Sequence, residues 1–183
     1  LQTRYLCRRT RADRRDSDNK VSHQKGVVSM IIMPTTINIF NLPITDDCAV
    51  CVTTNGMVKR NGHAVMGAGI AKQANELFHC SETLGRLLTQ YGNHVYDLGP
   101  AARSGPFYRL VAYPTKHDWR NPSDMALIKQ SAHELVALVN KMNIKTCYLP
   151  PVGCGLGSLN WKQQVKPLLE SILDNRFIAV VRP

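Results

Sequence analysis

The stretch "AVMGAGIAKQANELF" (residues 64–78) places two glycines directly before an amphipathic segment. Gly67 and Gly69 flank a single alanine, and the apolar residues that follow recur at helical spacing. Glycine at a helix start lets the backbone approach a ligand closely, and the first N–H groups of the helix can bind an anion. The stretch therefore predicts a ligand-binding loop and a helix, although a glycine helix start that only packs closely gives the same pattern.

Two further stretches share features of this design. "LPPVGCGLGSLNW" (residues 149–161) again has the order of strand, glycine-rich loop and helix, and "AYPTKHDW" (residues 112–119) ends another strand candidate. Ligands of α/β sheets bind outside the carboxyl ends of the strands, so we expect the three stretches to meet. The Walker loop motif is absent from the sequence. The dinucleotide fingerprint fails as well, because Lys72 stands where it needs its third glycine.

Strand-like and helix-like segments alternate along the chain after residue 34. Strands are expected over residues 35–40 and 48–54 and in four later apolar runs, and Ser81 and Ser123 are the expected N-terminal caps of two helices. The helical segment "NWKQQVKPLLESIL" is expected to break or kink near Pro167. The alternation predicts an α/β domain with a mixed sheet over residues 33–183.

Residues 1–32 differ from the rest in charge. Residues 1–25 hold eight Lys or Arg against three Asp, with few apolar residues and no hydrophobic core of a secretion signal. One interpretation is a basic arm that binds nucleic acid. The favoured one is a disordered extension, upstream of a natural start at Met30 or Met33. From residue 26 onward the chain remains basic, with 15 Lys and Arg against 10 Asp and Glu.

The six cysteines do not form a metal-binding pattern. Cys48 and Cys51 lie in a strand candidate, where residues three apart face opposite sides, and a second pair is lacking because Cys147 and Cys154 bracket a Pro-Pro turn. We expect reduced, mostly buried thiols in a cytoplasmic protein, without a metal ion or cofactor. No apolar run reaches the 18 to 20 residues of a membrane-spanning helix, so no membrane partner is expected.

The motifs "TTNG", "VMGAGIAKQ", "YPTKHDW" and "LPPVGCGLGSLNW", in this order, resemble the macro-domain family of ADP-ribose binders. They are most similar to its lysine-using branch, which includes terminal ADP-ribose glycohydrolases and antitoxins that remove ADP-ribose from DNA. The resemblance covers roughly residues 36–181. It implies a three-layer α/β/α fold with a central mixed sheet, with ADP-ribose as ligand or product and ADP-ribosylated DNA as a partner.

The same resemblance assigns ligand-binding roles. The loops expected to hold the diphosphate consist of Gly67, Ala68, Gly69, Ile70 and Ala71, and of Gly153, Cys154, Gly155, Leu156 and Gly157. Asn38 stands near the adenine, where many members have an aspartate, and its amide oxygen can still accept a hydrogen bond. Asn55 matches a residue that contacts the distal ribose, although Asn before Gly56 is also a turn signal.

Lys116 and Asn55 are the expected catalytic residues, and Lys116 is the one expected to carry the chemistry. By resemblance, Lys116 either attacks the anomeric carbon of the distal ribose as an amine or assists departure of the leaving group. The alternative is a phosphate-binding or solvent-facing lysine. Some protein-directed members pair the lysine with an aspartate where this chain has Gly157, so the chain resembles the DNA-directed members.

The expected function is thus a hydrolase that removes ADP-ribose from nucleic acid. The alternatives are a non-catalytic ADP-ribose reader and an ADP-ribose 1″-phosphate phosphatase. Trp119 and Trp161 are candidates to flank the cleft, although a tryptophan after a loop also commonly belongs to the core.

Overall fold

The computed structural model describes residues 28–103 and 105–183. The predicted leader therefore lies, up to residue 27, outside the described residues. The first strand, β1, comprises Ile31–Pro34, and Met30 directly before it is 5% exposed and packs in the core. The boundary predicted after residue 32 therefore falls inside β1.

Six strands form one mixed sheet. They are β1, β2 (Cys48–Asn55), β3 (Tyr96–Ala101), β4 (Tyr108–Lys116), β5 (Thr146–Leu149) and β6 (Phe177–Val181), in the spatial order β1-β6-β5-β2-β4-β3. All neighbours are parallel except β3, which runs antiparallel to β4. Residues 48–52 of β2 are all buried, as expected for a central strand covered on both faces. The predicted mixed sheet is confirmed.

Helices cover both faces of this sheet. They are α1 (Gly69–Phe78), α2 (Ser81–Tyr91), α3 (Met125–Lys141) and α4 (Lys166–Glu170). One apolar cluster includes Ala74 of α1 and Leu84 of α2, and the other includes Leu135 of α3 and Leu169 of α4. The three-layer α/β/α architecture is confirmed. A π-helical turn at Trp161–Val165 precedes α4, so the expected disruption near Pro167 is present.

The prediction of a strand over residues 35–40 is wrong. The strand ends at Pro34, and a short 3₁₀ turn, Ile39–Asn41, follows. The Asn38 side chain accepts a hydrogen bond from the Phe40 N–H at 3.0 Å, which stabilises a turn in place of an extended backbone.

The two expected serine caps are also wrong. Cys80 precedes α2, and Ser81 is its first residue. Asp124 caps α3, because its carboxylate accepts from the N–H groups of Ala126 at 2.8 Å and Leu127 at 3.4 Å. A carboxylate at this position also interacts favourably with the helix dipole. The Ser123 side chain is therefore not used by the helix.

The cysteines of the strands lie as expected from the strand period. Cys48 packs in the cluster under α1 and α2, whereas Cys51 packs in the opposite cluster, with its Sγ 3.6 Å from that of Cys147. The hydrogen bond with Cys147, together with burial, raises the pKa of the Cys51 thiol well above its ordinary value. Among the described residues, no helix is both long and apolar enough to cross a membrane.

Candidate functional site

The ends of two central strands bring Asn55 and Lys116 together. Asn55 ends β2, Lys116 ends β4, and the two residues are paired across the parallel ladder after an irregularity between Thr54 and Asn55. This edge of the sheet is where the sequence motifs were expected to meet. The ends of β2 and β4 meet as expected, because these two parallel strands are adjacent in the sheet.

The first glycine loop leads into the N-terminus of α1. Ala68 precedes the helix and has no side chain that can cap it, and the first turn contains no acidic residue. The first N–H groups of α1 and its helix dipole therefore favour binding of an anion. Gly69 has φ +56°, and a Cβ built there would lie 3.9 Å from Cδ1 of Leu156 in the opposite loop. A longer side chain at Gly69 would extend into the space between the loops.

The second glycine loop is folded tightly on itself. The Leu159 N–H donates to the Gly153 carbonyl at 3.1 Å, and the Ser158 N–H donates to the Gly155 carbonyl at 3.3 Å. A Cβ added to Gly157 would lie 2.1 Å from Ser123 Oγ and 2.3 Å from the Gly153 carbonyl oxygen. No side chain fits at residue 157 without a shift of the backbone, so this fold of the loop excludes a carboxylate there.

A cleft of about 800 Å³ lies between the two loops. Its volume is within the range of small-molecule sites in proteins. Most of the predicted site residues line it: Asn55, Gly67, Ala68, Gly69, Ile70, Ala71, Lys116, Gly153, Gly155, Leu156 and Gly157. Within the described part of the chain, no group of three or more His, Cys, Asp or Glu is arranged to hold a metal ion.

Asn38 and Cys154 do not line this cleft. Asn38 is exposed, and its Nδ2 donates to Oε1 of Gln73 at 2.9 Å while its Oδ1 caps the 3₁₀ turn. Cys154 packs against the core, its Sγ 3.2 Å from the Val152 carbonyl, and burial raises the pKa of its thiol to about 11. The adenine contact of Asn38 and the ligand contact of Cys154 both remain predictions.

Asn55 is held by its own turn. Its Nδ2 donates to the Val65 carbonyl at 2.9 Å, and its Oδ1 accepts from the Met57 N–H at 3.0 Å. The side chain thereby ties the end of β2 to the start of the first glycine loop. An amide nitrogen has two protons and an amide oxygen two lone pairs, so Asn55 retains hydrogen-bonding capacity toward the cleft it lines.

Lys116 bridges the cleft at its β4 end. Its Nζ donates to the Leu156 carbonyl at 2.8 Å and lies 3.3 Å from the Trp119 carbonyl. The backbone of Lys116 is fixed as well, because Nδ2 of Asn93 and the N–H of Gly56 both donate to its carbonyl, at 2.9 and 3.1 Å. The ammonium group is thus placed between the second loop and the segment after β4.

Some residues at the site were missed or misassigned from the sequence. Ser123 was expected to be a cap, yet it lines the cleft, is 8% exposed, and its Oγ has no hydrogen-bond partner within the described part of the chain. Arg120 also lines the cleft. Asn93 positions Lys116 from the turn before β3. Arg120 directly follows the motif "AYPTKHDW" (residues 112–119), and this proximity is the sequence signal that could have identified it.

Comparisons with known proteins agree with the resemblance. No family model matches the chain. A DNA ADP-ribosyl glycohydrolase of Thermus aquaticus is 34% identical over 121 residues, which are 61% of this chain and 33% of that protein. The chain thus spans about a third of the length of the curated relatives it matches.

Solved structures extend the similarity to most of the chain. The macrodomain of Thermus aquaticus DarG is 27% identical, with a TM-score of 0.61 over 84% of this chain and 98% of that one. Thermosipho africanus DarTG in complex with ADP-ribose is 23% identical, with a TM-score of 0.58 over 73% of this chain and 37% of that one. The expected fold and the expected resemblance are both confirmed.

Proposed function

We propose that this chain, which has the macrodomain fold, binds ADP-ribose in its cleft and hydrolyses the bond that joins ADP-ribose to DNA. The observation that carries the proposal is the position of Lys116. Its backbone pairs with that of Asn55 at the β4 end of the cleft, and its Nζ bonds the carbonyls of Leu156 in the second glycine loop and of Trp119 after β4.

The two glycine loops support binding of the diphosphate. The uncapped N-terminus of α1 offers backbone N–H groups and a favourable dipole on one side, and the second loop faces it across the cleft. The Thermosipho africanus protein that shares this fold was solved with ADP-ribose bound. We therefore place the diphosphate between the loops and the distal ribose toward Lys116.

The chemistry assigned to Lys116 takes one of two forms. As an amine it attacks the anomeric carbon, and water then releases the ribose from the nitrogen. As an ammonium it donates a proton to the departing base while water attacks the anomeric carbon. In either form the bond between the anomeric carbon and the acceptor breaks, and water supplies the new hydroxyl. The tight packing at Gly157 leaves no room for an assisting carboxylate from the second loop.

Nucleic acid is the acceptor that the comparisons and the charge support. Curated relatives from Thermus aquaticus and Mycobacterium tuberculosis are named DNA ADP-ribosyl glycohydrolases. From residue 26 onward, Lys and Arg exceed Asp and Glu by 15 to 10, which attracts a phosphate backbone. The five cysteines of the described residues are free thiols, which agrees with a cytoplasmic site of action.

A reader without catalysis is the competing function that one observation favours. The Nζ of Lys116 already bonds two backbone carbonyls, an arrangement that also suits a purely structural lysine closing the cleft. A reader would keep its affinity for ADP-ribose and would release nothing from modified DNA. An ADP-ribose 1″-phosphate phosphatase would release inorganic phosphate instead of ADP-ribose.

Substitution of Lys116 separates these functions. We expect Lys116→Ala to abolish release of ADP-ribose from an ADP-ribosylated oligonucleotide, while affinity for free ADP-ribose changes by less than about tenfold, or 1.4 kcal/mol. Lys116→Arg keeps the charge but removes the primary amine, so it distinguishes attack by the amine from charge stabilisation. Lys141→Ala, at an exposed position near the end of α3, is the matched control.

The products are identified by mass spectrometry and the affinity by calorimetry. Full turnover by Lys116→Ala would eliminate the lysine mechanism. Activity on ADP-ribosylated protein without activity on DNA would contradict the proposed substrate, and binding without any turnover would favour the reader.

A further inference from the structure

The order of the strands gives the cleft a direction. The second loop follows β5, the first loop follows β2, and Lys116 ends β4, and these three strands are neighbours in the order β5-β2-β4. This inference rests on the proposed function: with the diphosphate between the loops and the distal ribose at Lys116, the acceptor leaves the cleft beyond β4. The segment after β4, residues 117–123, is therefore the part of the chain that the acceptor meets first.

An exposed tryptophan occupies this segment. Trp119 is 54% exposed, lines the cleft, and its carbonyl lies 3.3 Å from Nζ of Lys116. The carbonyl of Leu156, a residue that is 71% exposed, lies 2.8 Å from the same nitrogen. The Leu156 side chain reaches toward Gly69 of the first loop, so Trp119 is the exposed apolar side chain left beside the path of the acceptor.

Apart from the Lys116 ammonium, the charged groups beside Trp119 are paired and add no net charge to the surface around its ring. Arg120 lies over the Trp119 ring, 6.0 Å from its centroid, but its guanidinium pairs with the Asp118 carboxylate. Hydrogen bonds from Arg120 lower the pKa of Asp118 to about 2, so the pair is ionised at neutral pH and its charges cancel. His117, the remaining titratable group of this segment, faces Asp124 with Nε2 3.5 Å from its carboxylate.

We propose that Trp119 is a stacking platform for the nucleobase that carries the ADP-ribose. A base joined to the anomeric carbon presents a planar face to the indole, and aromatic stacking is largely independent of the base sequence. A glutamate or serine acceptor has no such face, so Trp119 is a specificity-determining residue that selects a nucleobase over an amino-acid side chain.

Hydrolysis and binding of a single-stranded oligonucleotide, ADP-ribosylated on one base, test this assignment with the full chain. We expect Trp119→Ala to lower kcat/KM by about tenfold or more, or 1.4 kcal/mol. Trp119→Phe should retain most of the activity, because phenylalanine keeps an aromatic face. Free ADP-ribose should bind within about twofold of the parent protein, since Trp119 lies beyond the ribose. Trp161→Phe, whose ring packs against the core, is the matched control.

Binding measured without turnover keeps this test independent of the proposed function. In the Lys116→Ala background, the modified oligonucleotide should quench tryptophan fluorescence and bind more tightly than ADP-ribose alone, and Trp119→Ala should abolish both effects.

Equal affinity and equal kcat/KM for Trp119→Ala and the parent protein would overturn the stacking role, although the proposed hydrolase would stand. If the parent protein releases nothing from DNA, the proposed hydrolase fails, and the stacking role then depends on these binding effects alone. If Trp119→Ala lowered kcat/KM by a comparable factor on an ADP-ribosylated glutamate peptide, Trp119 would not be selecting a base.

Discussion

The Ser123 side chain packs directly against Gly157 of the second glycine loop. The Ser123 N–H donates to the Gly157 carbonyl at 2.9 Å, and Ser123 Oγ fills the volume that a Cβ of residue 157 would need. Substitution of Gly157 by alanine or aspartate would therefore require a change in the conformation of the loop. Whether residue 157 can carry a carboxylate therefore depends on Ser123, the residue before the cap of α3. Neither sequence motif alone shows this dependence.

Alanine substitutions within this loop test the packing. We expect Gly157→Ala to lower the free energy of unfolding by about 1 to 3 kcal/mol, because its Cβ would meet the Gly153 backbone as well as Ser123. Gly155→Ala, in the same loop, is the matched control, since nothing lies within 4 Å of its Cβ. Urea unfolding measures both variants, and equal free energies would show that the loop adapts at no cost.

At the scale of elements, α1 delivers its free N–H groups to the cleft because no side chain caps it. The helix starts at Gly69 with a positive φ, so the chain turns sharply out of the loop and directs the N-terminus at the second loop. Helix α3 begins differently, with an aspartate cap that satisfies its own first turn. Of these two helices, α1 is the one suited to an anionic ligand.

A negative charge at the start of α1 should therefore block the ligand. We expect the parent protein to bind ADP-ribose with a micromolar Kd, about 8 kcal/mol, and Gly69→Glu to weaken binding at least about tenfold. The carboxylate would occupy the anion site and repel the diphosphate. Gln90→Glu, an exposed position near the end of α2, adds the same charge away from the cleft. If calorimetry gives the folded Gly69→Glu protein an unchanged affinity, the assignment of the first loop fails.

At the scale of the whole molecule, β1 closes one edge of the sheet. Its four residues pair in register with β6, and Met30 before it fills the core beneath α3 and α4. A chain beginning at Val28 keeps this contact, whereas a chain beginning at Met33 loses Met30 and half of β1.

Truncation locates the domain boundary. We expect the chain beginning at Val28 to melt within a few degrees of the full chain, in line with a leader dispensable for the fold. The chain beginning at Met33 should melt at least about 5 °C lower, since loss of a buried methionine costs about 2 kcal/mol or more. Calorimetric melting curves compare the three chains. Equal melting temperatures would place the boundary where the sequence placed it, after residue 32.

The sequence by itself determined the layered α/β fold, five of the six strands and the two glycine loops, because these depend on local periodicity and on glycine spacing. Lys116 was identified as well, through the family resemblance that its motif "YPTKHDW" carries. The tertiary structure decided what depends on residues distant in the chain: the pairing of Asn55 with Lys116, the carbonyls around the Lys116 ammonium, and the close contact between Gly157 and Ser123. It also assigned β1, since four residues form a strand only when β6 supplies their hydrogen-bond partners.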